Sequence, residues 1–257
     1  DFWNDVYNQN PERFSENALR KWFVLEDAPN GMWNYFLSVY FLQNKDSNNQ
    51  LESKKLEEFL EKVIAFVWAY SFTNPGVNAL RTPVYAEMIH IVTDKEVKFE
   101  DFKFDERTLK TAINNFEFKN GRPITKSMLT WWAFTNDEQV LPALNTVFEV
   151  EHIFAKKRQE NDKSLTNTKN LESLGNKALL EDKVNIRASE YRFADKIKYY
   201  QGFTNAKGQY KQGTIIAELK NLPISNTDFT EKDIETRNMN ITEKFITFLK
   251  ETDLIKA

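Results

Sequence analysis

Four residues could do joint chemistry if the chain brings them together: Glu151, His152, Asn176 and Asn185. Phosphodiester hydrolysis needs a base for water, a cation at the phosphate and help for the leaving oxygen. Neutral imidazole titrates near physiological pH and can act as that base. An amide or backbone oxygen can hold its other ring nitrogen in one orientation. A carboxylate and an Asn carbonyl are hard oxygen donors of the kind that suits Mg²⁺. Each residue also has a plainer reading. Asn176 follows Gly175 and could be a turn residue, and Asn185 could be a helix N-cap. Lys156-Lys157-Arg158 could be a solvated face or a phosphate contact. The second histidine, His90, lies in the apolar run Tyr85–Val92 and reads as a satisfied core or subsurface side chain.

The elements that must position these groups can be read from periodicity. Thr146–His152 alternates in the strand period and is rich in β-branched and aromatic residues. Lys156–Asn170 is polar and reads as a loop. Gly175–Leu180 reads as a turn entering a short strand, and Asn185–Tyr200 as a helix. The local order is strand, loop, strand, helix. Before it, residues 1–144 read as helical. Leu56, Phe59, Leu60, Val63, Ile64, Val67 and Trp68 recur at three- and four-residue steps and draw one apolar stripe. Met32–Leu42, Val84–Val92, Leu109–Phe116 and Ile124–Phe134 are further helix candidates. Asn74-Pro75-Gly76 and Asn120-Gly121 mark turns. Residues 201–257 read as helical again, with a short piece at Ile215–Leu219. Thr230 and Asp233 there form a capping-box pattern that opens a helix through Leu249. The expected organisation is a helical region 1–144, a ββα module 145–200 and a C-terminal helical region 201–257, as one domain or several.

Val150-Glu151-His152-Ile153-Phe154 resembles the acid–His strand end of HNH nucleases. Gly175-Asn176-Lys177-Ala178-Leu179-Leu180, then Asn185, Phe193 and Lys196, is similar to the rest of that module. The nearest resemblance is to the C-terminal nuclease domain of GmrSD-type, modification-dependent restriction endonucleases. In that domain a Gly-Asn-Leu-x-Leu-Leu block precedes an Asn and a later Phe-x-x-Lys. Phe229, Ile234 and Arg237 are spaced like its closing helix. The resemblance implies a mainly α fold with a small embedded ββα-metal (His-Me finger) unit. It implies His152 as general base, Asn176 orienting it, and Glu151 and Asn185 holding a divalent metal, Mg²⁺ or Mn²⁺. Lys196 would touch phosphate or brace the loop, beside Lys156, Lys157 and Arg158. Two departures stand out: the family's Pro three residues after the His is Ala155, and the acid is Glu151 where HNH nucleases often have Asp.

Composition bounds the function. The chain has 257 residues and no Cys, which excludes disulfides, thiol nucleophiles and zinc knuckles. The net charge is −3, yet residues 145–220 carry 14 Lys+Arg against 10 Asp+Glu, so this stretch could meet phosphate locally. No apolar run is long enough to span a bilayer, and a cytoplasmic protein is expected. The chain opens with Asp1, not Met, so a piece of a longer protein is expected. The family's usual N-terminal nucleotide-hydrolysing domain, with its Asp-Gly-Gln-Gln-Arg motif, has no counterpart here and would be a partner domain or subunit. The expected function is metal-dependent cleavage of DNA in a phage-restriction system. The alternative is an inactive DNA-binding or protein-interaction module of the same family.

Overall fold

The computed structural model describes residues 2–74, 80–93, 95–225 and 227–256. The chain is mainly helical and divides into two units, residues 1–115 with 242–257, and residues 116–241. No helix among the described residues is long and apolar enough to cross a membrane.

The first unit is built from α1 (Phe2–Tyr7), α2 (Glu16–Glu26), α3 (Trp33–Asn44), α4 (Ser53–Thr73), α5 (Arg81–Val92) and α6 (Glu106–Asn114). The seven-residue stripe of α4 is buried throughout, because steps of three and four residues return to one face of a helix. Against it packs α2, whose N-cap Ser15 accepts a hydrogen bond from the Ala18 N–H at 3.1 Å. Phe66 of α4 stacks on Phe99 at 3.8 Å between ring centroids. Buried Glu87 accepts from the Phe99 N–H at 3.1 Å and lies 3.0 Å from His90 Nδ1. His90 is thus partnered as expected, but its ring lies half-exposed at the surface and not beneath it. The turn expected at Pro75-Gly76 lies outside the described residues.

The second unit carries α7 (Pro123–Phe134), β1 (Phe148–His152), α8 (Lys156–Asp162), β2 (Lys177–Glu181), α9 (Asp182–Ala188), α10 (Phe193–Gln201), a minimal ladder of β3 (Phe203–Thr204) and β4 (Tyr210–Lys211), α11 (Ala217–Ser225) and the start of α12 (Glu231–Glu251). β1 and β2 pair antiparallel, with Glu151 opposite Ala178 and His152 opposite Lys177. α7 and α9 both pack on this hairpin. α12 opens at Thr230, whose N–H donates to Asp233 Oδ2 at 2.7 Å, the reciprocal half of a capping box.

Two local expectations are corrected. Lys156–Asn170 is not a loop throughout: it holds α8 and enters a 3₁₀ turn at Thr168–Glu172. The Lys-Lys-Arg-Gln-Glu run favours a helix by propensity, but α8 buries no residue and so leaves no apolar stripe to read. The helix expected over Asn185–Tyr200 is two helices. Ser189 ends α9 at φ +44°, a conformation that no helix can continue.

Candidate active site

The hairpin fixes Glu151 and His152 by strand geometry. Neighbouring strand residues point to opposite faces, so the acid and the imidazole meet different partners. Glu151 Oε1 accepts from Lys196 Nζ and from the Tyr200 hydroxyl, each at 2.7 Å, both donors lying on α10. Burial pushes the Glu151 carboxyl up, against the pull of the Lys196 charge and its hydrogen bond. Tyr200 is likewise held well above its ordinary value by burial and by the adjoining carboxylate. Lys196 Nζ also donates to the His152 carbonyl at 2.6 Å. It therefore ties the end of β1 to α10 through two oxygens. The Lys196 side chain is 1 % exposed, which suits bracing rather than contact with a nucleic-acid phosphate.

On the other face, His152 Nε2 lies 2.5 Å from Lys177 Nζ, its cross-strand neighbour. The ammonium can only donate, so Nε2 accepts, and the neutral ring carries its proton on Nδ1. Lys177 Nζ also donates to Asn120 Oδ1 and Glu172 Oε2, each at 2.7 Å. Glu172 Oε1 stands 3.5 Å from the same imidazole nitrogen and 3.2 Å from Lys156 Nζ. Burial, then the Lys177 charge, lowers the His152 imidazole to about 3. Burial lowers Lys177 to about 8, opposed by Glu172. Burial raises Glu172, but its bonds to Lys177 and Lys156 and nearby charge leave it below the usual carboxylate range. His152 is therefore neutral at physiological pH, and burial and the Lys177 charge make it a weaker proton acceptor than a free imidazole.

Asn176 is fully buried and binds backbone. Its Oδ1 accepts from the Phe154 N–H at 2.7 Å, and its Nδ2 donates to the carbonyls of Phe154 at 3.1 Å and Leu171 at 3.0 Å. It fixes the chain just after His152 rather than the imidazole itself. Ahead of it, Gly175 cannot be anything larger: a Cβ there would meet the Ile234 carbonyl oxygen at 1.9 Å. Arg237 of α12 closes the same turn, its Nη1 donating to the carbonyls of Leu174, Gly175 and Lys177 while Glu218 holds the rest of the guanidinium. Phe229, on the same stretch, packs beside Phe193 at 5.6 Å.

Asn185 sits half-buried inside α9, not at its N-cap, which is Glu181. Its backbone carbonyl accepts from the Ser189 N–H at 2.8 Å. Of the basic run after His152, Lys156 is partly engaged by Glu172 and the Lys157 side chain is exposed. Arg158 is committed elsewhere: both terminal nitrogens bind Asp228, at 2.7 and 2.8 Å, and the guanidinium lies 4.5 Å over the Phe154 ring.

Among the described residues no three His, Cys, Asp or Glu side chains form a group able to hold a metal. A Mg²⁺-type site needs fewer protein ligands, because that ion keeps much of its water. Glu151 supplies a carboxylate whose two hydrogen bonds both fall on Oε1, which leaves Oε2 as a donor. Asn185 supplies an amide oxygen from α9. In donor type, these two side chains fit a hard divalent cation.

Sequence reasoning passed over Lys177, Glu172, Asn120 and Tyr200. For Lys177 a signal existed. It is a charged residue where the family block has Leu, at the start of an otherwise apolar strand. The other three come from segments whose approach to the hairpin no local pattern encodes.

The family described as GmrSD restriction endonucleases, C-terminal domain, matches residues 103–245. Comparison with the curated proteins and with solved structures finds no match.

Proposed function

The chain belongs to the family of C-terminal domains of GmrSD restriction endonucleases, and from that premise we propose that it is a DNA endonuclease with His152 as general base. The observation that carries the reading is the placement of the His152 imidazole at the end of β1, next in sequence to Glu151, with Asn176 clasping the backbone just beyond it. In this reading β1, β2 and α9 form a ββα-metal unit. Glu151, through Oε2, and Asn185 would hold Mg²⁺ or Mn²⁺. A bound cation there polarises a phosphoryl oxygen and makes a water more acidic. Lys196 and Tyr200 keep the Glu151 carboxylate oriented. Lys156 and Lys157 are the cations available to DNA phosphates, with Arg158 bracing the loop from Phe154 to Asp228. For His152 to accept a proton at Nε2, a water must take the place of the Lys177 ammonium.

The wider setting is also proposed: action on DNA in a phage-restriction system, in the cytoplasm, alongside an N-terminal nucleotide-hydrolysing domain or subunit. A second reading, an inactive DNA-binding or interaction module, is favoured by one observation. The Nε2 lone pair of His152 is already taken by Lys177.

Nicking of supercoiled plasmid in millimolar Mg²⁺ or Mn²⁺, with His152→Ala as control, separates the two. Cleavage by the wild type that His152→Ala loses, at unchanged thermal stability, supports the nuclease. DNA binding without cleavage supports the inactive module, and cleavage that survives in His152→Ala removes the base assignment.

A further inference from the structure

Lys177 is fully buried, and three acceptors converge on its ammonium. Asn120 Oδ1 and Glu172 Oε2 lie at 2.7 Å and His152 Nε2 at 2.5 Å. An ammonium has three N–H groups, so this one is saturated. The acceptors come from three separate segments: the turn before α7, the 3₁₀ turn before β2, and the end of β1. One carboxylate, one imidazole and one amide oxygen around a single point is a donor set used by Mn²⁺ and Co²⁺. Here the point is held by a side chain of the chain itself. Among the described residues Glu172 is the carboxylate bonded to Lys177, and its other oxygen pairs with the half-exposed Lys156 at 3.2 Å, so the buried positive charge of the cage faces a single negative one that it shares with a surface lysine.

We propose that Lys177 is the resident cation of the His152 pocket, an internal ammonium filling a cage that would otherwise bind a divalent transition metal. Lys177 supplies the positive charge beside His152 and fixes the ring in its Nδ1–H form. A metal ion cannot enter this pocket while the ammonium is there. A metal used in catalysis must then sit at a different place. The inference does not depend on the nuclease reading, because it concerns occupancy of the cage and not turnover.

The test is calorimetric titration of the full chain with Co²⁺, together with its visible absorption spectrum. Lys177→Ala removes the ammonium and leaves room, and it should bind one more Co²⁺ than the wild type, with a new d–d band. Lys177→Met removes the charge but still fills the stem, and should gain no site. Adding Glu172→Gln to Lys177→Ala should abolish the extra site. A folded Lys177→Ala protein with the wild-type number of sites overturns the proposal. So does an extra site that persists with Glu172→Gln. If Lys177→Ala is unfolded without metal, millimolar Co²⁺ should refold it; failure to refold also overturns the proposal.

Discussion

Lys196 Nζ joins the Glu151 carboxylate at 2.7 Å to the His152 carbonyl at 2.6 Å, so one buried ammonium holds both the Glu151 side chain and the His152 backbone. The consequences for stability are one-sided. Losing one member of a buried pair leaves the other charge without compensation, at about 3–5 kcal/mol. Lys196→Met is therefore expected to lower the urea unfolding free energy by that order. Glu151→Gln added to it should recover a large part of the loss. Recovery of nothing would mean that Lys196 acts through the His152 carbonyl alone.

Asn176 makes three hydrogen bonds to backbone groups, two of them on Phe154. Asn176→Ala leaves a buried N–H and buried carbonyls unpaired, each loss being worth roughly 1–3 kcal/mol. The expected result is a destabilised protein with faster amide exchange at Phe154. If the Phe154 amide keeps its wild-type protection at equal global stability, the clasp has no mechanical role.

The acid response of stability follows from His152. Its folded value, about 3, lies below the ordinary 6.5. Between these two pH values the unfolded chain binds the additional proton. The contribution of His152 is therefore complete above pH 6.5 and is lost as the pH falls toward 3. One such group adds a slope of up to about 1.4 kcal/mol per pH unit. Carboxylates held low, Glu172 among them, add their own acid sensitivity. The difference between wild type and His152→Gln isolates the imidazole. Urea midpoints from pH 7 to pH 4 should fall less steeply in the variant, and parallel curves would contradict a buried neutral His152.

How far the sequence reaches depends on whether a feature is local. The α4 stripe and the β1 alternation repeat with the period of their element, and both elements appear where periodicity puts them. Helix α8 was invisible because it buries nothing. The break at Ser189 was missed because neither Gly nor Pro marks it. The four candidate positions can be named from their order along the chain alone. Their partners cannot. Tyr200 and Lys196 reach Glu151 from α10, while Asn120 and Glu172 reach Lys177 from outside the hairpin. Those approaches are tertiary. A two-residue alternation can say that Glu151 and His152 face opposite ways, but not what waits on either side.

Asn185 offers the sharpest test of the proposed metal site, because its place in α9 removes the rival role. A capping Asn replaced by Ala loses about 1 kcal/mol. Asn185 is within the helix, where Ala is the better helix former by several tenths of a kcal/mol. Asn185→Ala should thus melt at or slightly above the wild-type temperature. If its amide oxygen shares a divalent cation with Glu151, the same change should cut plasmid cleavage by orders of magnitude while DNA binding is largely kept. Asn185→Asp adds a negative charge beside an anionic substrate, so it should alter both the metal-concentration dependence and the affinity for DNA. EDTA should stop cleavage by the wild type without moving its melting temperature, since no structural role falls to the ion. Normal cleavage by a stable Asn185→Ala protein would leave Glu151 without its partner and move the cation elsewhere.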